Sequence, residues 1–560
     1  MARNVMLGGE IAKRGLFGGS RSGLDYTILA LGLALGIAVL YSYNPGTLVS
    51  VVLGAVVFAF TWLISWPIDI YLNGNSLMSA ALIWMGRRAR RAAGQNVFIP
   101  EHLQREPNTE PTDVTKKQNK VRGSAERKRR MIRLPFLSKK QTKTTDQSNK
   151  ASSRQHKTRR TPNSPVSVGP VRWFEFETSA GRMVILKHMQ RRSRKTKTYF
   201  TVTLEVKGTG GGLMREYEAD RPYIGFGKFL ARVATKQSLV SGIQEISRSL
   251  PIDMTDHIQW IKSRISADAP EIVVRSYGEL IDQVSKISEQ HRSFFVLKIP
   301  QSAEFRRRAA IYGRGDEADA RAIFDEVKTT SNWARSSGAV KSVRALDETR
   351  LAALIRSLQD PSFDMDDTFS YISGNDEALT LNDCWQRLDW SKGPALVVND
   401  TWHHRIGYVP PDAFTAEETN VRALKGLISA DREKSFIRSI SIMTNLYEAK
   451  TARRWAVSDV ASDRSTSRQK RGKVSDGTKE VLLTASQRRL KDLKPGSTHQ
   501  GAGYGIYFTV SAKNAAELEA AKQLMEARAN LCGIERIDWI KDEQDTALVA
   551  ALPFARGLAE

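Results

Sequence analysis

The first hundred residues combine a long uncharged stretch with one clear interruption. No charged residue occurs from Tyr26 to Ile68. Two largely apolar runs, 24–43 and 47–68, flank Asn44-Pro45-Gly46, which favours a turn because proline cannot continue a helical hydrogen-bond ladder. A helix needs roughly 20 residues to cross a hydrocarbon core of about 30 Å, and each run reaches that length. The pattern predicts a two-span membrane hairpin over residues 24–68.

Basic residues flank this stretch on both sides. Lysine and arginine lie at positions 3, 13, 14 and 21 before it and at 87, 88, 90 and 91 after it, and the turn carries no charge. Cytoplasmic flanks of membrane spans are enriched in these residues, so residues 1–23 and everything after the hairpin are expected in the cytoplasm. Residues 69–100 are interpreted as an interfacial helix with a basic flank, and the alternative is a simple extension of the second span. The localisation predicted from the sequence is therefore the cell membrane, with two spans and both termini cytoplasmic.

The charge surplus is concentrated in one polar segment. The chain has 85 Lys+Arg against 60 Asp+Glu, a net charge of +25. Between residues 116 and 160 there are 17 basic residues and only two acidic ones. Because this region has few apolar side chains to bury, residues 101–168 are predicted to form a basic disordered tether.

Within the tether, "AERKRRMIRLPFLSKK" (125–140) interleaves basic and apolar side chains. Such a cluster can bind anionic lipid headgroups or simply be solvated, and the alternatives are nucleic acid, whose phosphates attract the same residues, and a protein partner. The candidate contact residues are Arg127, Lys128, Arg129, Arg130, Arg133, Arg159 and Arg160.

The remaining chain reads as two α+β domains, residues 169–360 and 361–560. In the first, "RWFEFET" and "RMVILKH" predict a β-hairpin, "TYFTVTLEV" and "SFFVLKI" predict strands, and residues 317–358 predict helix. In the second, "PALVVND", "SFIRSISIM", "GYGIYFTVSA" and "RIDWI" predict strands. A long polar helical insertion separates two of these strands. The order strand, helical arm, strand, helix, strand is typical of a split βαβ unit with helices on one face of the sheet.

Motifs of known chemistry are weak throughout the sequence. "KGTGGGL" (207–213) lacks the Lys-Ser/Thr of a P-loop, and no GxxxxGK[ST] occurs in the chain. Adjacent strand residues such as His403 and His404 point to opposite faces and do not readily chelate one metal. Cys384 and Cys532 show no CxxC spacing, which agrees with a reducing compartment. The sequence thus predicts a non-enzymatic protein without a cofactor, metal site or catalytic residue.

The order of the parts is similar to that of a known machine. The segments "VVNDTWHHRIGYV", "ALKGLI" and "RSISIM", then a basic helical arm and the run from "YFTVSAKN" to "ALVAALPF", resemble the N-terminal, non-ATPase domain of the conjugative type IV secretion ATPases. Gln544, Ala547, Leu552 and Pro553 match the Gln-containing helix and the "LP" that in that family lead to the motor domain. The front of the chain resembles the PrgI-type two-span subunit of the same machines. The whole arrangement resembles an actinobacterial integral membrane protein that accompanies a separate ATPase, although the long tether at 101–168 departs from a compact version of that family.

The resemblance implies a function by analogy. It implies a non-enzymatic inner-membrane subunit of a type IV secretion-like conjugative DNA-transfer machine, oligomeric within the complex. Its partners would be a separate type IV secretion-type ATPase, which it would hold at the membrane, and other membrane subunits. The alternatives are an EccE-type component of type VII secretion and a membrane-anchored nucleic-acid-binding protein. The fold class expected from the sequence is a membrane α-hairpin plus cytoplasmic α+β domains, with split βαβ-like modules and long helical insertions.

Overall fold

A computed structural model of the chain divides it into two compact units. The larger unit comprises residues 1–10, 97–107 and 145–560, and the smaller comprises residues 11–96 and 108–144. The structure describes residues 4–6, 23–42, 48–64, 85, 88–89, 92, 96–104, 159–160, 164–178, 181–192, 195–208, 218, 220–251, 255–266, 268–287, 289–365, 379–391, 393–410, 413–414, 418–420, 424–428, 435–468, 478–495, 501–541 and 544–557.

The smaller unit contains two packed antiparallel helices, α1 (Gly23–Ser42) and α2 (Leu48–Ile64). Small residues allow the helices to approach closely. A Cβ at Gly32 would collide with the side chain of Thr61, and one at Gly36 would lie 3.2 Å from the carbonyl oxygen of Gly54. The Thr61 hydroxyl donates to the carbonyl of Val57 within α2, so its polar group is satisfied.

The predicted fold class and localisation are wrong. Among the residues that the structure describes, no helix is both long enough and apolar enough to cross a bilayer. Helix α2 has 17 residues, and at 1.5 Å per residue it is about 26 Å long, short of a hydrocarbon core of about 30 Å. Helix α1 places Asp25 in its first turn and Ser42 at its end. The two-span hairpin over 24–68 and the cell-membrane localisation with cytoplasmic termini are therefore corrected, and the turn at 44–46 lies outside the described residues.

The larger unit is built on an antiparallel sheet of 14 strands that differ in length. A separate two-stranded sheet pairs β1 with β13. The strands are β1 Asn4–Met6, β2 Val97–Phe98, β3 Arg159–Arg160, β4 Val171–Thr178, β5 Gly181–Arg192, β6 Lys195–Lys207, β7 Gly242–Pro251, β8 Glu289–Pro300, β9 Ser342–Ala345, β10 Leu388–Asp389, β11 Leu396–Val398, β12 Trp402–Val409, β13 Glu418–Asn420, β14 Ile437–Tyr447, β15 Gly501–Ala512 and β16 Asp538–Trp539. The order in the large sheet is β2-β10-β11-β12-β15-β14-β7-β8-β6-β5-β4-β3, with β16 also paired to β12 and β9 to β6.

The helices of the larger unit connect these strands. They are α3 Glu101–Gln104, α4 Arg221–Val233, α5 Thr255–Lys262, α6 Glu271–Ile287, α7 Ala303–Ala309, α8 Asp316–Ser336, α9 Glu348–Gln359, α10 Lys425–Ile428, α11 Ala449–Arg468, α12 Thr478–Asp492, α13 Ala515–Leu531 and α14 Gln544–Ala551, and a 3-10 turn spans Ala310–Tyr312. Side-chain caps fix several starts. Ser302, Asp347 and Asn514 each accept a hydrogen bond from the backbone N–H three residues later.

The large sheet contains the same connectivity twice. The first half runs β6-α4-β7, then the helical pair α5–α6, then β8-α8-β9-α9, and its strands are ordered β9-β6-β8-β7. The second half runs β12-α10-β14, then the helical pair α11–α12, then β15-α13-β16-α14, with the order β16-β12-β15-β14. Each half is a β-α-β-β-α-β module in which β6 and β7, or β12 and β14, run parallel on either side of a third strand. Because β7 pairs with β14 antiparallel, an approximate two-fold axis relates the halves.

Helices cover both faces of this sheet, whereas the sequence predicted helices on one face. One face carries α9 and α14, and its core spans the two halves through Trp173, Ile246 and Leu548. On the opposite face each half has its own core: Phe229, Ile323 and their neighbours in the first, and Phe508, Met525 and their neighbours in the second. A helical pair between two strands returns the chain to the strand end where it left, so β7 and β8, and likewise β14 and β15, become antiparallel neighbours.

Most segments predicted as strands are confirmed. The hairpin of "RWFEFET" and "RMVILKH" is β4 and β5, paired through Thr178 and Gly181 at the turn. The strands predicted in "TYFTVTLEV", "SFFVLKI", "SFIRSISIM" and "GYGIYFTVSA" are β6, β8, β14 and β15. Alternation of apolar and polar residues was the informative signal, since these strands each bury one or both faces.

The packing of α4 makes a prediction about two glycines. A Cβ on Gly225 would lie 2.5 Å from the carbonyl oxygen of Ser337 and 2.9 Å from the amide nitrogen of Ala339, both backbone atoms that follow α8. A Cβ on Gly227, on the same helix, would meet nothing within 4 Å. Gly225→Ala is expected to lower the free energy of unfolding by about 1–3 kcal/mol through overpacking, although alanine favours helix by about 1 kcal/mol. Gly227→Ala is the matched control and should be neutral or slightly stabilising in urea titrations; equal effects of the two changes would contradict this packing.

Candidate functional site

A cavity of about 1260 Å³ opens where β6 ends, between the two halves of the large sheet. Glu205 and Val206 both line it, and neighbouring strand residues point to opposite faces, so the cavity reaches both faces of the sheet there. Its size exceeds the range of about 300–1,000 Å³ that is usual for small-molecule sites. The side chains and glycine that line it are Glu205, Val206, Lys207, Gly208, Tyr223, Phe226, Leu230, Glu245, Gln290, His291, Arg292, Ser293, Arg344, Leu346, Arg350, Met365, Phe414, Leu424, Lys425, Ile428, Ile442, Thr444, Ala502, Tyr504 and Ile506.

One wall of the cavity is rich in cations. Strand register places them together: Glu205 is paired with Arg344 in β9, and Val206 with Ser293 in β8, so Lys207 lies beside Arg292. The Arg292 guanidinium is 4.0 Å from the Glu205 carboxylate, and both side chains are largely buried. We call Lys207, Arg292, Arg344 and Arg350 the cationic wall.

Another arginine lies beside this wall, on the same face of the sheet. Arg248 in β7 is the cross-strand partner of Arg292, and like charges opposite each other in a sheet repel. Arg248 donates to the Ser357 hydroxyl at 2.6 Å and to the Ser357 carbonyl, which fixes it to α9. Burial, followed by the charge of Arg292, lowers the pKa of Arg248 to about 9. Asp360 and Asp364 offset part of the charge of Arg248.

The lining on the opposite face of the sheet is aromatic and aliphatic, since Phe226 packs on the face of Phe295 and the cationic side chains share the face of Phe294. Tyr223 and Phe226 come from α4 in the first half, and Phe414, Ile442 and Tyr504 come from the second. Phe226 packs at 5.9 Å between ring centroids on Phe295, and Phe414 meets Tyr504 edge-on at 6.1 Å. These ring contacts hold the aromatic side chains in place on opposite sides of the opening. We call Tyr223, Phe226, Phe414 and Tyr504 the aromatic wall.

Glu245 lies on the floor between the two halves. Its strand partners in the sheet are Phe295 and Ile442, so its carboxyl has apolar neighbours on both sides. Burial raises the pKa of Glu245 to about 8. At neutral pH this carboxyl is largely protonated, which leaves Glu205 as the main counter-charge to the five lysine and arginine side chains that line the cavity.

The pKa of Glu245 predicts a pH dependence of stability. A carboxyl with a raised pKa in the folded state stabilises the fold below its unfolded pKa of about 4.5, and this stabilisation is lost as the pH rises through about 8. As the pH rises from 6.5 to 9, the free energy of unfolding of Glu245→Gln should therefore increase by on the order of 2 kcal/mol relative to that of the wild type. The measurement is urea unfolding across this range, with the exposed Glu279→Gln as control. A parallel pH dependence of Glu245→Gln and wild type would contradict a buried, protonated Glu245.

The buried histidines stay neutral over the same range and serve structural roles. His404 Nδ1 is 2.7 Å from the Ser511 hydroxyl and Nε2 is 2.8 Å from the Gln359 carbonyl. Burial lowers the pKa of His404 to about 4 and that of His188 to about 3. His403 is on the opposite face of β12, as the strand alternation predicted. Among the described residues no group of three or more His, Cys, Asp or Glu side chains could hold a metal ion.

Only two of the seven candidate contact residues lie in the part of the chain that the structure describes. Arg127, Lys128, Arg129, Arg130 and Arg133 lie outside the described residues. Arg159 and Arg160 form β3 at the edge of the sheet and pair with Trp173 and Arg172, far in strand order from the cavity.

Sequence reasoning missed most of the cavity. Of "KGTGGGL", Lys207 and Gly208 line the opening, while residues 209–213 lie outside the described part of the chain. The cationic wall draws on β6, β8, β9 and α9, over more than a hundred residues of sequence, and no spacing connects them. Of the four residues, only Lys207 and Arg292 lie beside predicted strands, whereas Arg344 and Arg350 fall in the segment 317–358 that the sequence predicted as helix and that β9 interrupts.

The chain matches none of the known protein-family models, and no curated protein is detectably similar to it.

Proposed function

We propose that the chain is a non-enzymatic docking subunit that binds a separate ATPase of a type IV secretion-like conjugative DNA-transfer machine. The identity of the partner rests on the resemblance of the C-terminal half to the non-ATPase domain of those ATPases. The observation that carries the docking role is the helical pair α5–α6. This pair leaves the sheet between β7 and β8 and exposes a row of apolar side chains.

The exposed row is too apolar for an ordinary helix surface. In α6, Ile272 is 77 % exposed, Val273 58 % and Leu280 52 %, and Trp260 of α5 is 53 % exposed. Apolar side chains at the spacing of one helix face are what a partner's groove recognises. The hydrogen-bond distance of 3.2 Å between His257 and Tyr277 connects α5 to α6, so the two helices present this surface together.

The second half supplies a corresponding pair. Helices α11 and α12 join β14 to β15, and α11 exposes Trp455 and Val457 to about half of their area. The pair is held by an ion pair of 3.0 Å between Arg489 and Asp459 and by a 2.6 Å hydrogen bond from Arg453 to the Leu493 carbonyl. Two projecting helical pairs on one continuous sheet suit a scaffold that contacts partner subunits.

Affinity purification of the full chain tests the proposal. A secretion- or conjugation-type ATPase is expected among the specific partners, and Ile272→Ser combined with Leu280→Ser should reduce its recovery by roughly tenfold or more. The control on the same helix is the exposed Glu279→Ser, which should leave recovery unchanged. The purified chain alone should show no nucleotide turnover. Absence of any such ATPase from the specific partners, or turnover by the chain itself, would refute the proposal.

The charge of the chain favours one second candidate, direct binding of the transferred DNA. The observation is the run of 17 basic against two acidic residues between positions 116 and 160. Binding of basic residues to DNA phosphates weakens steeply as the salt concentration rises, because the bound protein displaces counterions from the DNA. Titration of the full chain with DNA should then give micromolar or tighter binding at physiological salt and a steep salt slope, and binding absent at that salt would exclude this candidate.

A further inference from the structure

Strands β5 and β6 continue beyond the rest of the large sheet as a two-stranded ribbon. The pairing of β4 with β5 ends at His188, and the pairing of β8 with β6 begins at Tyr199. Past these two residues, β5 and β6 are paired only with each other in the part of the chain that the structure describes. We call residues 190–192 and 195–197 the ribbon.

The ribbon is strongly basic. Residues 190–198 contain five lysines and arginines and no aspartate or glutamate. The register places Arg192 directly opposite Lys195, and the exposed Lys197 lies two residues along the same face. Like charges opposite each other in a sheet are destabilising, so this face is unfavourable for the ribbon alone. Binding of an anionic partner would offset that repulsion.

Cations continue on the same face towards the sheet. Alternation along β6 puts Lys197 on the face of Tyr199, and Lys298 Nζ lies 5.1 Å from the centre of the Tyr199 ring. His188 stacks on Tyr199 at 4.6 Å between ring centroids. Burial, followed by the charges of Arg556 and Lys298, lowers the pKa of His188 to about 3. Two further cations therefore lie at the base of the ribbon, on the face of Lys197.

The dimensions of the ribbon match the major groove of B-form DNA. That groove is about 12 Å wide and about 8.5 Å deep, and it admits a two-stranded β-ribbon. Neighbouring strands lie about 4.8 Å apart, and three paired residues at about 3.3 Å each extend the ribbon by about 10 Å. Duplex RNA fits less well because its major groove is deep and narrow.

The residue types of the ribbon favour DNA over a lipid surface. Segments that enter a membrane interface combine basic residues with Trp, Phe or Leu side chains. Residues 190–198 contain no aromatic residue and no Leu, Ile, Val or Met. Charge without apolar side chains suits the phosphates that border a DNA groove.

We propose that the ribbon enters the major groove of double-stranded DNA, with Arg192, Lys195 and Lys197 on the phosphates that flank the groove. The inference is independent of ATPase docking. It rests on the second candidate function, direct DNA binding, and adds a site on a regular part of the fold that is separate from residues 116–160. Phosphate contacts fix the orientation of a protein on the duplex and carry no sequence information directly.

Titration of the full chain with a short fluorescently labelled DNA duplex, at several salt concentrations, tests this site. The ribbon variant combines Arg192→Gln with Lys195→Gln. It should weaken binding by roughly tenfold or more at physiological salt and lower the salt slope by about two, since each phosphate contact contributes about 0.9. The matched control combines Arg306→Gln with Arg307→Gln, which removes the same charge from exposed positions on α7, on the opposite face of the sheet. This α7 variant should bind as the wild type does.

A third double variant separates the ribbon from the basic segment 116–160. Lys128→Gln combined with Arg129→Gln removes two charges from that segment. If DNA binds only there, this variant weakens binding and the ribbon variant does not. That result would overturn the ribbon site while leaving the second candidate function in place.

The fold and the class of ligand are checked separately. Lys195→Arg keeps the charge and should keep the wild-type affinity, and the urea midpoint of the ribbon variant should be unchanged or higher because like-charge repulsion is removed. Vesicles that contain phosphatidylserine should bind the ribbon variant as they bind the wild type. Failure of the wild type to bind duplex DNA, loss of vesicle binding instead of DNA binding in the ribbon variant, or equal weakening in the ribbon and α7 variants would overturn the proposal.

Discussion

Replacing Gln244 by leucine is expected to lower the free energy of unfolding by about 3–5 kcal/mol. The Gln244 side chain is fully buried on β7, beside the axis that relates the two halves. Its amide nitrogen is 2.8 Å from the Ser441 hydroxyl, 3.1 Å from the Ala550 carbonyl and 2.9 Å from the Leu552 carbonyl. Its amide oxygen accepts from the Ala555 backbone N–H at 2.8 Å. Leucine leaves the Ala555 N–H without its partner, which costs about 1–3 kcal/mol. The Ala550 carbonyl keeps its bond from Ser441 and the Leu552 carbonyl its bond from the Phe554 N–H, so each loses only a second hydrogen bond, at about 0.5–1.5 kcal/mol.

Urea unfolding followed by tryptophan fluorescence measures this effect. Gln237→Leu is the matched control because its side chain is exposed, and it should shift the midpoint little. Gln244 connects a strand of the first half to the segment after α14 in the second half, so its loss should also speed proteolysis near residues 552–557. An unfolding midpoint for Gln244→Leu within error of the control would contradict this connection.

The sequence predicted local structure well because local structure depends on nearby residues. The four apolar positions Leu518, Ala521, Met525 and Ala529 recur at helical spacing, and all four are buried on α13. Alternation along β14 and β15 similarly identified both strands. These patterns report which face of an element is buried, and they do not depend on what buries it.

The joining of the halves depends on contacts that no local pattern records. Strand β7 is paired with β14, almost two hundred residues later, and this pairing makes one sheet of the two halves. The repeat of connectivity is likewise not apparent in the residues, and even cross-strand partners at the junction such as Glu245 and Ile442 share no chemistry. The cavity arises from this junction, so its location could not be derived from the sequence.

The hairpin prediction shows the limit of reasoning from apolar length. Residues 24–68 contain enough uncharged residues for two spans, but α2 has only 17 residues in the structure. The length of an apolar run includes all of its residues, whereas the distance that a helix can span depends only on how many of those residues are helical. The resemblance to a membrane subunit relied on the same count, and its membrane part is corrected with it.

Arg438→Met is also expected to lower the free energy of unfolding strongly, by about 3–5 kcal/mol, because it breaks a buried ion pair. The Arg438 guanidinium makes a two-point contact with Glu289, at 2.6 and 2.7 Å, and both side chains are 1 % exposed. Arg438 Nε also donates to the Leu427 carbonyl at 3.0 Å, and its guanidinium stacks on Phe436. The pair connects the start of β8 in the first half to the start of β14 in the second. Removing arginine leaves a carboxylate buried without its counter-charge.

A double-mutant cycle separates the ion pair from the loss of packing. Glu289→Gln alone should also destabilise strongly, since it leaves the guanidinium without its counter-charge. The double variant Arg438→Met with Glu289→Gln should recover much of the loss, because neither charge of the pair is left buried without the other and methionine fills a similar volume. The ion pair of Arg307 and Glu304 on α7 provides a surface comparison, where Arg307 is 76 % exposed and Arg307→Met should cost less than about 1 kcal/mol. Additive effects of the two buried substitutions would mean that Arg438 and Glu289 stabilise the junction independently, through packing and the carbonyl hydrogen bonds rather than through each other's charge.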